Sequence, residues 1–463
     1  MIKNIARGRF RAVPLITTVV FALSACGAGT GSNSTSSGSG ATGAFDWKKY
    51  SGTSIQVLMD EHPWTNGMKQ GLVAFQDATG ITVDVQSYGE DLYFDKMNQA
   101  IRTTTSPDVF MTGMDYTIAT QKDAGLVEPL TPFIDNAALT SPDYNLADFP
   151  SGVLATGQFP GADSSTQLYG VPISTECYIL FYNKDLVDKY LGGKVPATMA
   201  ELIADAKLIT KAGKGDVFGS VVRGVRATGI VDTPTGLVFN EWPAASGKIK
   251  LPFNVWFDGA WNKPRLTNPA IVKGLSDYAE LIAAGPPNRF SLDWPDANTL
   301  FTQGKAAFYL DASVFGPSFE DAKKSTIAGK VGYMPLPFGA AGGGTGLWSW
   351  GIAIASASKH KEAAWLFTQW FTNSENTAAI GAFTGGPPRQ SSAHLSSFSS
   401  KLNADYVKTV QQAMSTARPT AVIKSDAEPI LLVVVDAVMA MANGKNPTQV
   451  MKDAQARLQS LMK

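Results

Sequence analysis

The chain has 463 residues, of which 44% are hydrophobic and 17% are charged, and it carries 39 basic and 39 acidic side chains. This length predicts two domains, because single hydrophobic cores stop growing beyond roughly 250–300 residues. The near-average apolar fraction argues against a disordered chain. The lack of a basic excess argues against a nucleic-acid-binding protein, so no nucleic-acid partner is expected.

The first 25 residues have the pattern of an export signal. Basic residues between Lys3 and Arg11 precede an apolar run over residues 12–25, which is too short to span a bilayer. The run ends in LSAC at 23–26, which resembles the lipobox of bacterial lipoproteins. That resemblance implies cleavage before Cys26, lipid modification of Cys26 and anchoring of the mature protein to the membrane. An ordinary secretory signal is the alternative.

Residues 26–44 are predicted to form a tether. Of the 18 residues after Cys26, 11 are Gly or Ser and none is charged. A flexible coil of this length has an end-to-end distance of roughly 25 Å. Removal of residues 1–25 takes away four basic and no acidic side chains, which leaves 35 basic and 39 acidic ones. The mature protein is therefore expected to be mildly acidic.

From residue 54 onward, short apolar strands alternate with amphipathic helices. Strands are predicted at 54–59, 81–86 and 108–112, and helices at 66–79, 92–102 and 116–124. This alternation is typical of a parallel sheet with helices on both faces. A ligand crevice is expected at the carboxyl ends of the strands.

A second strand–helix region begins near residue 178. Thr198 and Glu201 form a predicted capping box before the helix at 202–210, and Asn268 with Pro269 predicts another helix start. The remaining predicted helices lie at 296–303, 359–372, 402–417, 429–442 and 447–461, and the remaining strands at 305–310 and 330–334. Together the two regions predict an architecture of two α/β lobes.

Several kinds of reactive site find no support in the sequence. The three histidines lack metal-binding spacing, the glycine-rich segment 340–346 lacks the Lys-Ser/Thr of a phosphate-binding loop, and no Gly-x-Ser-x-Gly motif occurs. Cys177 lies in an apolar strand-like run and is expected to be a buried, inert thiol. No catalytic residue, metal or cofactor is therefore predicted. The paired carboxylates of a glycosidase stay possible, because their pairing is spatial.

Tryptophans in predicted loops point to a sugar site. Trp64 follows the first strand, Trp242 follows a helix, and Trp348 and Trp350 follow the glycine-rich segment. Sugar rings have apolar C–H faces edged by hydroxyls, so a sugar site needs flat aromatic platforms with polar groups beside them. The alternative for each of these tryptophans is packing in the core.

A set of short motifs resembles one protein family over nearly all of residues 52–463. The most specific is YGVPI at 169–173, followed after a short gap by LFYNKDL at 180–186. The others are FQDATGITV at 75–83, SPDVF at 106–110, AGLVEPL at 124–130, FTQGKAA at 301–307 and SKHKEAA at 358–364. In this order and spacing they resemble the extracellular solute-binding proteins of carbohydrate-uptake ABC transporters (family 1, maltose-binding type).

The resemblance implies an α/β, two-lobe periplasmic-binding-protein-like fold (type II) with a hinge and an interlobe ligand cleft. It implies an N-terminal lobe of residues 45–175 plus 332–395 and a C-terminal lobe of residues 176–331 plus 396–463, with a hinge segment near 174–177. A ligand that contacts both lobes stabilises the closed form, which a membrane permease would recognise. A monomer is expected.

The resemblance also implies ligand-binding residues. Glu176 lies at the hinge position where maltose-binding relatives have a ligand carboxylate, and Asp115 after the third strand matches a second one. Asp311 closes a strand at a position where polar ligand contacts are common, and Glu90 joins this set. Arg389 lies in GGPPR at 385–389, which resembles a loop that presents an arginine to the sugar. A surface salt bridge is the alternative for Arg389.

Two segments differ from the maltose type. HPW at 62–64 resembles members that bind sugar alcohols or smaller sugars, and Val314 and Phe315 stand where a tryptophan is expected. The predicted protein is thus a lipid-anchored receptor on the extracytoplasmic face of the bacterial membrane that delivers a sugar or polyol to an ABC importer. The alternatives are a receptor of this fold for a betaine or peptide, and an extracellular glycan-processing enzyme. Alanine at Trp64 or Glu176 is expected to weaken binding about tenfold or more without unfolding the protein.

Overall fold

The computed structural model describes residues 44–462, except Thr104, 243–252 and 341–342. The predicted export signal, the lipidation site Cys26 and all but the last residue of the predicted tether lie outside the described residues. Within the described ranges, no helix is long and apolar enough to cross a membrane.

The described residues form the predicted alternation of strands and helices. The strands are β1 (Ser54–Asp60), β2 (Thr82–Tyr88), β3 (Val109–Gly113), β4 (Gln158–Pro160), β5 (Thr166–Leu168), β6 (Val171–Asn183), β7 (Phe218–Val221), β8 (Ala306–Ala312), β9 (Val331–Pro335), β10 (Thr345–Ile354) and β11 (Ala417–Pro419). The first nine helices are α1 (Pro63–Thr79), α2 (Glu90–Ala100), α3 (Tyr116–Asp123), α4 (Thr131–Ile134), α5 (Ser151–Leu154), α6 (Lys184–Leu191), α7 (Met199–Gly213), α8 (Asp232–Glu241) and α9 (Pro269–Ala283). The others are α10 (Trp294–Thr302), α11 (Gly316–Phe319), α12 (Lys361–Phe371), α13 (Ser374–Thr384), α14 (Ser396–Ser399), α15 (Ala404–Met414), α16 (Glu428–Ala442) and α17 (Pro447–Leu461).

Helix ends follow the predicted capping signals. α1 ends at Gly80, whose φ of 71° is left-handed, and α7 starts with the reciprocal capping box of Thr198 and Glu201. The start of α1 differs from the prediction of residue 66. Pro63 occupies the first turn, and the His62 side chain accepts the Trp64 N–H as a cap. Trp64 therefore lies in the helix and not in a loop.

One large sheet has the strand order β2-β1-β3-β10-β6-β8-β7, with β11 beside β10 and β9 beside β6. β1 runs parallel to β2 and β3, as predicted, whereas β10 returns antiparallel between β3 and β6. The 13-residue strand β6 pairs with different strands along its length. Its first part pairs with β10, and its second part pairs with β8 and β9.

Buried apolar residues gather on the two sides of the point where β6 changes partners. The N-terminal core contains residues from 55–173 and 350–380. The C-terminal core consists of two clusters with residues from 177–458. β6 and β10 are the strands that connect the two cores, so the residues around Glu176 lie between them.

Candidate ligand-binding site

A cavity of about 560 Å³ lies between the N-terminal and C-terminal cores. On one side it is lined by His62, Glu90 and Asp115, which follow the carboxyl ends of β1, β2 and β3. This confirms the crevice predicted at the strand ends. The other side is formed by Arg223 after β7, the start of α10, and the segment after β8. The volume lies within the usual range of roughly 300–1,000 Å³ for small-molecule sites.

Glu176 lies at the base of the cavity and is held by two donors. His62 Nδ1 accepts the Trp64 N–H at 3.1 Å, so its Nε2 carries the proton and donates to Glu176 Oε1 at 3.0 Å. The Ser174 hydroxyl donates to the same oxygen at 3.2 Å. Both contacts use Oε1, which leaves Oε2 as an acceptor for another group.

Arg223 is a buried cation whose guanidinium is held by a carboxylate on the side away from the cavity. Its Nε and Nη2 form a fork of hydrogen bonds of 2.9–3.2 Å to the Asp311 carboxylate. Asp311 is fully buried and also accepts from the Tyr309 hydroxyl at 3.0 Å and from the Ala312 N–H at 2.7 Å. This fork orients the guanidinium, so Nη1 is the donor available to the cavity.

Aromatic rings form platforms on both sides of the cavity. Trp350 stacks on Phe94 with centroids 5.6 Å apart, and Trp348 meets Trp350 edge to face at 5.9 Å. Across the cavity, Trp294 stacks on Phe315 with centroids 5.0 Å apart and an angle of 17°. In the antiparallel pair of β10 and β6, Trp348 lies directly opposite Glu176. A flat apolar face is thus next to a carboxylate, as a sugar or polyol requires.

Carboxylates dominate the charge of the cavity. Burial raises the pKa of Asp115 to about 6 and that of Asp232 to about 8. Of the two arginines at the cavity, Arg223 is paired with Asp311 and Arg226 with Asp436. The carboxylates that line the cavity are Glu90, Asp95, Asp115, Glu176, Asp232, Asp293 and Glu428.

One further carboxyl lies behind the cavity wall. Asp60 ends β1 and is fully buried, and neither of its oxygens has a hydrogen-bond partner among the described residues. Burial, followed by the negative charge of Glu90, raises the pKa of Asp60 to about 9. Asp60 is therefore protonated and neutral at neutral pH.

The structure brings five of the nine sequence-predicted residues to the cavity and leaves four away from it. Those at the cavity are Glu90, Asp115, Glu176, Trp348 and Trp350. Those that do not line it are Trp64, Trp242, Asp311 and Arg389. The four residues of the second group have structural contacts away from the cavity, and ligand binding by the nine residues stays a prediction.

Three members of the second group contact other residues of the protein away from the cavity. Asp311 lies behind Arg223, as described above. The guanidinium of Arg389 donates to the carbonyls of Tyr144 at 2.8 Å and Asn145 at 2.7 Å, which ties a loop to the N-terminal lobe. Trp242 is buried in the C-terminal core, with the Arg265 guanidinium 4.8 Å from its ring centre. The alternative of a surface salt bridge for Arg389 is corrected: Asp148 Oδ2 lies 3.3 Å from Nη1, but the Arg389 side chain is buried.

Replacement of Trp64 by alanine is expected to destabilise the fold rather than to act first on binding. The indole is buried in the N-terminal core and meets Phe371 edge to face at 6.5 Å. Loss of a buried tryptophan costs about 3–5 kcal/mol, because it leaves a cavity. Denaturant unfolding tests this loss, with Trp348→Ala at the half-buried cavity wall as the matched control. A Trp64→Ala protein as stable as the wild type would contradict the core position.

Three residues at the cavity were not identified as site residues from the sequence. Arg223 follows a strand that the pattern did not predict, and its partner Asp311 is 88 residues away. Trp294 begins α10, two residues before the start of the helix predicted at 296–303. The sequence shows His62 only as part of the unusual HPW motif at 62–64. A polar or aromatic residue directly after a strand or at a helix start is the signal shared by all three.

A sequence profile of the family described as bacterial extracellular solute-binding protein matches residues 53–378. The chain belongs to this family. Bacterial extracellular solute-binding proteins serve transport rather than catalysis, and membership implies an extracytoplasmic location.

Two curated relatives carry names that state a ligand. An erythritol/L-threitol-binding protein of Mycolicibacterium smegmatis is 29% identical over 378 residues, which cover 80% of this chain and 77% of that protein. A mannitol-binding protein of Pseudomonas aeruginosa is 28% identical over 231 residues, which cover 49% of this chain and 50% of that protein. Both are similar to this chain, and their names describe their own ligands.

A solved structure has the same fold as this chain. An ABC transporter solute-binding protein of Agrobacterium radiobacter K84 in complex with ribitol aligns with a TM-score of 0.73. The alignment covers 89% of this chain and 99% of that one, at 24% identity. This similarity confirms the two-lobe periplasmic-binding-protein-like fold predicted from the sequence.

Proposed function

We propose that this solute-binding protein captures a sugar or sugar alcohol in the cavity between its two lobes and delivers it to an ABC importer. The observation that carries the proposal is the pairing of Trp348 with Glu176 across β10 and β6, at the junction of the two cores. Carboxylate oxygens accept hydroxyl protons, Arg223 donates to hydroxyl oxygens, and the rings cover C–H faces. Relatives named for erythritol and mannitol support the same ligand class.

The proposed lobes are residues 45–175 plus 332–395 and residues 176–331 plus 396–463. The division of buried residues into an N-terminal and a C-terminal core supports these boundaries. A ligand that contacts Glu90 and Asp115 on one side and Arg223 on the other stabilises the closed arrangement, because an open cleft cannot offer both sides at once.

The proposal includes two further parts: the mature protein is anchored to the membrane, and it does not catalyse a reaction on its ligand. LSAC at 23–26 supports lipidation of Cys26 and attachment of the mature monomer to the outer face of the membrane. The transport role of the family supports a protein that releases its ligand unchanged. Neither a cofactor nor a metal belongs to the proposed mechanism.

A thermal-shift panel with product analysis tests the ligand class. The panel contains erythritol, ribitol, D-mannitol, maltose, glycine betaine and a short peptide. Saturable stabilisation by at least one sugar or polyol, which is then recovered unchanged, is the expected result. Stabilisation by betaine or peptide alone would favour the other receptor, and conversion of a sugar would favour the enzyme.

Glu176→Ala is expected to weaken binding of the panel ligand by tenfold or more. The variant removes the acceptor Oε2 together with the partner of His62, and a hydrogen bond to a charged group contributes about 1.5–3 kcal/mol. Calorimetry of wild type and variant measures the ratio of dissociation constants. Glu128→Ala is the matched control, because Glu128 pairs with Lys361 at 2.7 Å away from the cavity. Equal affinity of Glu176→Ala and Glu128→Ala would contradict the site.

A further inference from the structure

Trp294 makes a hydrogen bond from one side of the cavity to the other. It is the first residue of α10 and packs against the C-terminal core, and its Nε1 donates to Glu90 Oε2 at 2.6 Å. Glu90 is the first residue of α2, a helix whose Tyr93 and Met97 are buried in the N-terminal core. The bond therefore joins elements that belong to different cores.

Two features fix the direction of this bond. The Trp294 ring is stacked on Phe315 with an angle of 17°, so it cannot turn away without losing that contact. A Cβ placed on Gly229 would lie 3.7 Å from Glu90 Oε1 and 3.6 Å from Arg223 Nη1, which places the second oxygen of Glu90 in the part of the cavity beside Gly229 and Arg223. Trp294 thus holds one oxygen of Glu90 and leaves the second one directed at the region of Arg223 and Gly229.

We propose that Trp294 is a positioning residue that couples closure of the cleft to the ligand site, because its indole N–H orients the Glu90 carboxylate only when the lobes are together. A second contact across the cleft, between the hydroxyls of Tyr116 and Thr228 at 3.3 Å, closes at the same time. The Glu90–Trp294 bond is the shorter of the two, at 2.6 Å against 3.3 Å. The proposal rests on the two-lobe closure proposed above but not on the identity of the ligand.

Opposing effects act on the Glu90 carboxyl. Burial is the largest and, with the charge of Asp293, raises the pKa of Glu90, whereas the charge of Arg223 and the Trp294 hydrogen bond lower it. When the lobes separate, Glu90 loses the Trp294 donor and the nearby cation together. Its carboxylate then returns to water, and the orientation needed for the ligand is lost.

Trp294→Phe tests the proposal because it removes the N–H donor and keeps a ring to stack on Phe315. Small-angle X-ray scattering of the full chain without added ligand measures the balance of open and closed forms. Loss of a hydrogen bond to a charged group shifts this balance about tenfold toward the open form, which gives a larger radius of gyration. Trp370→Phe is the matched control, because the buried Trp370 N–H has no hydrogen-bond partner among the described residues.

Three measurements decide the outcome. Trp294→Phe should expand the protein while its unfolding midpoint stays near that of Trp370→Phe. Adding Glu90→Gln to Trp294→Phe should expand it no further, because both changes remove the same contact. Wild type and Trp294→Phe with the same radius of gyration, or an expansion equal to that of Trp370→Phe, would overturn the proposal. Because no ligand is added, these results are independent of the ligand panel.

Discussion

Asp311→Ala is expected to lower the free energy of unfolding by about 3–5 kcal/mol, because it leaves the Arg223 guanidinium buried without its counter-charge. Three hydrogen bonds from Arg223 end on Asp311, and the Tyr309 hydroxyl and the Ala312 N–H lose their acceptor as well. The same variant should weaken ligand binding, since the fork that aims Arg223 into the cavity is gone. Urea unfolding at constant pH measures the loss.

The matched control is Asp436→Ala. Asp436 also accepts two arginines, Arg226 and Arg457, but both of these side chains are more than half exposed. Exposed ion pairs contribute only about 0–1 kcal/mol, because water screens them. Similar losses in Asp311→Ala and Asp436→Ala would contradict the account of Arg223 as a buried cation held by one carboxylate.

Asp60→Asn is expected to make the protein more stable than wild type at pH 8, with a much smaller difference at pH 5. The pKa of Asp60 is about 9 in the folded chain, against an ordinary value of 3.8. Between these values the folded state binds a proton that the unfolded state has lost. The contribution of Asp60 to the free energy of unfolding therefore falls by about 1.4 kcal/mol for each pH unit of increase. Asparagine has no such proton and removes this slope.

Denaturant unfolding at pH 5 and pH 8 measures this change. The stability of Asp60→Asn relative to wild type should rise by up to about 4 kcal/mol over these three units. Asp108→Asn is the matched control, since Asp108 is also buried but accepts from the Gln56 N–H at 2.9 Å and the Ser358 hydroxyl at 2.6 Å. We expect Asp108→Asn to be less stable than wild type at both pH values. A constant difference between Asp60→Asn and wild type would contradict a protonated Asp60.

The part of the site that depends on local pattern was predictable. Glu90 and Asp115 follow parallel strands whose apolar runs and ends are visible in the sequence, and such ends meet at one edge of a sheet. Trp348 and Trp350 were predicted in a loop, but they lie in β10, which pairs with the strand of Glu176, and Trp350 is also buried in the N-terminal core. The pattern indicated the strand of Glu176, and the family resemblance placed Glu176 near the hinge.

The rest of the site depends on contacts between residues far apart in the chain. Trp64 lies in the core and not in a loop, because Pro63 and the His62 cap start α1 three residues earlier than the apolar pattern indicates. Arg389 does not line the cavity, because carbonyls about 245 residues away bind its guanidinium. Arg223 was missed for the same reason, since only the folded chain shows that Asp311 leaves one of its nitrogens for the cavity.

We expect one sugar or polyol to bind in the cavity between the lobes. Isothermal titration calorimetry of the mature protein with erythritol, ribitol, D-mannitol and maltose tests it most directly. We expect saturable binding of one ligand per chain for at least one of these compounds, with binding lost or weakened tenfold or more in Trp348→Ala. Failure of all four to bind, or binding unchanged by Trp348→Ala, would contradict it.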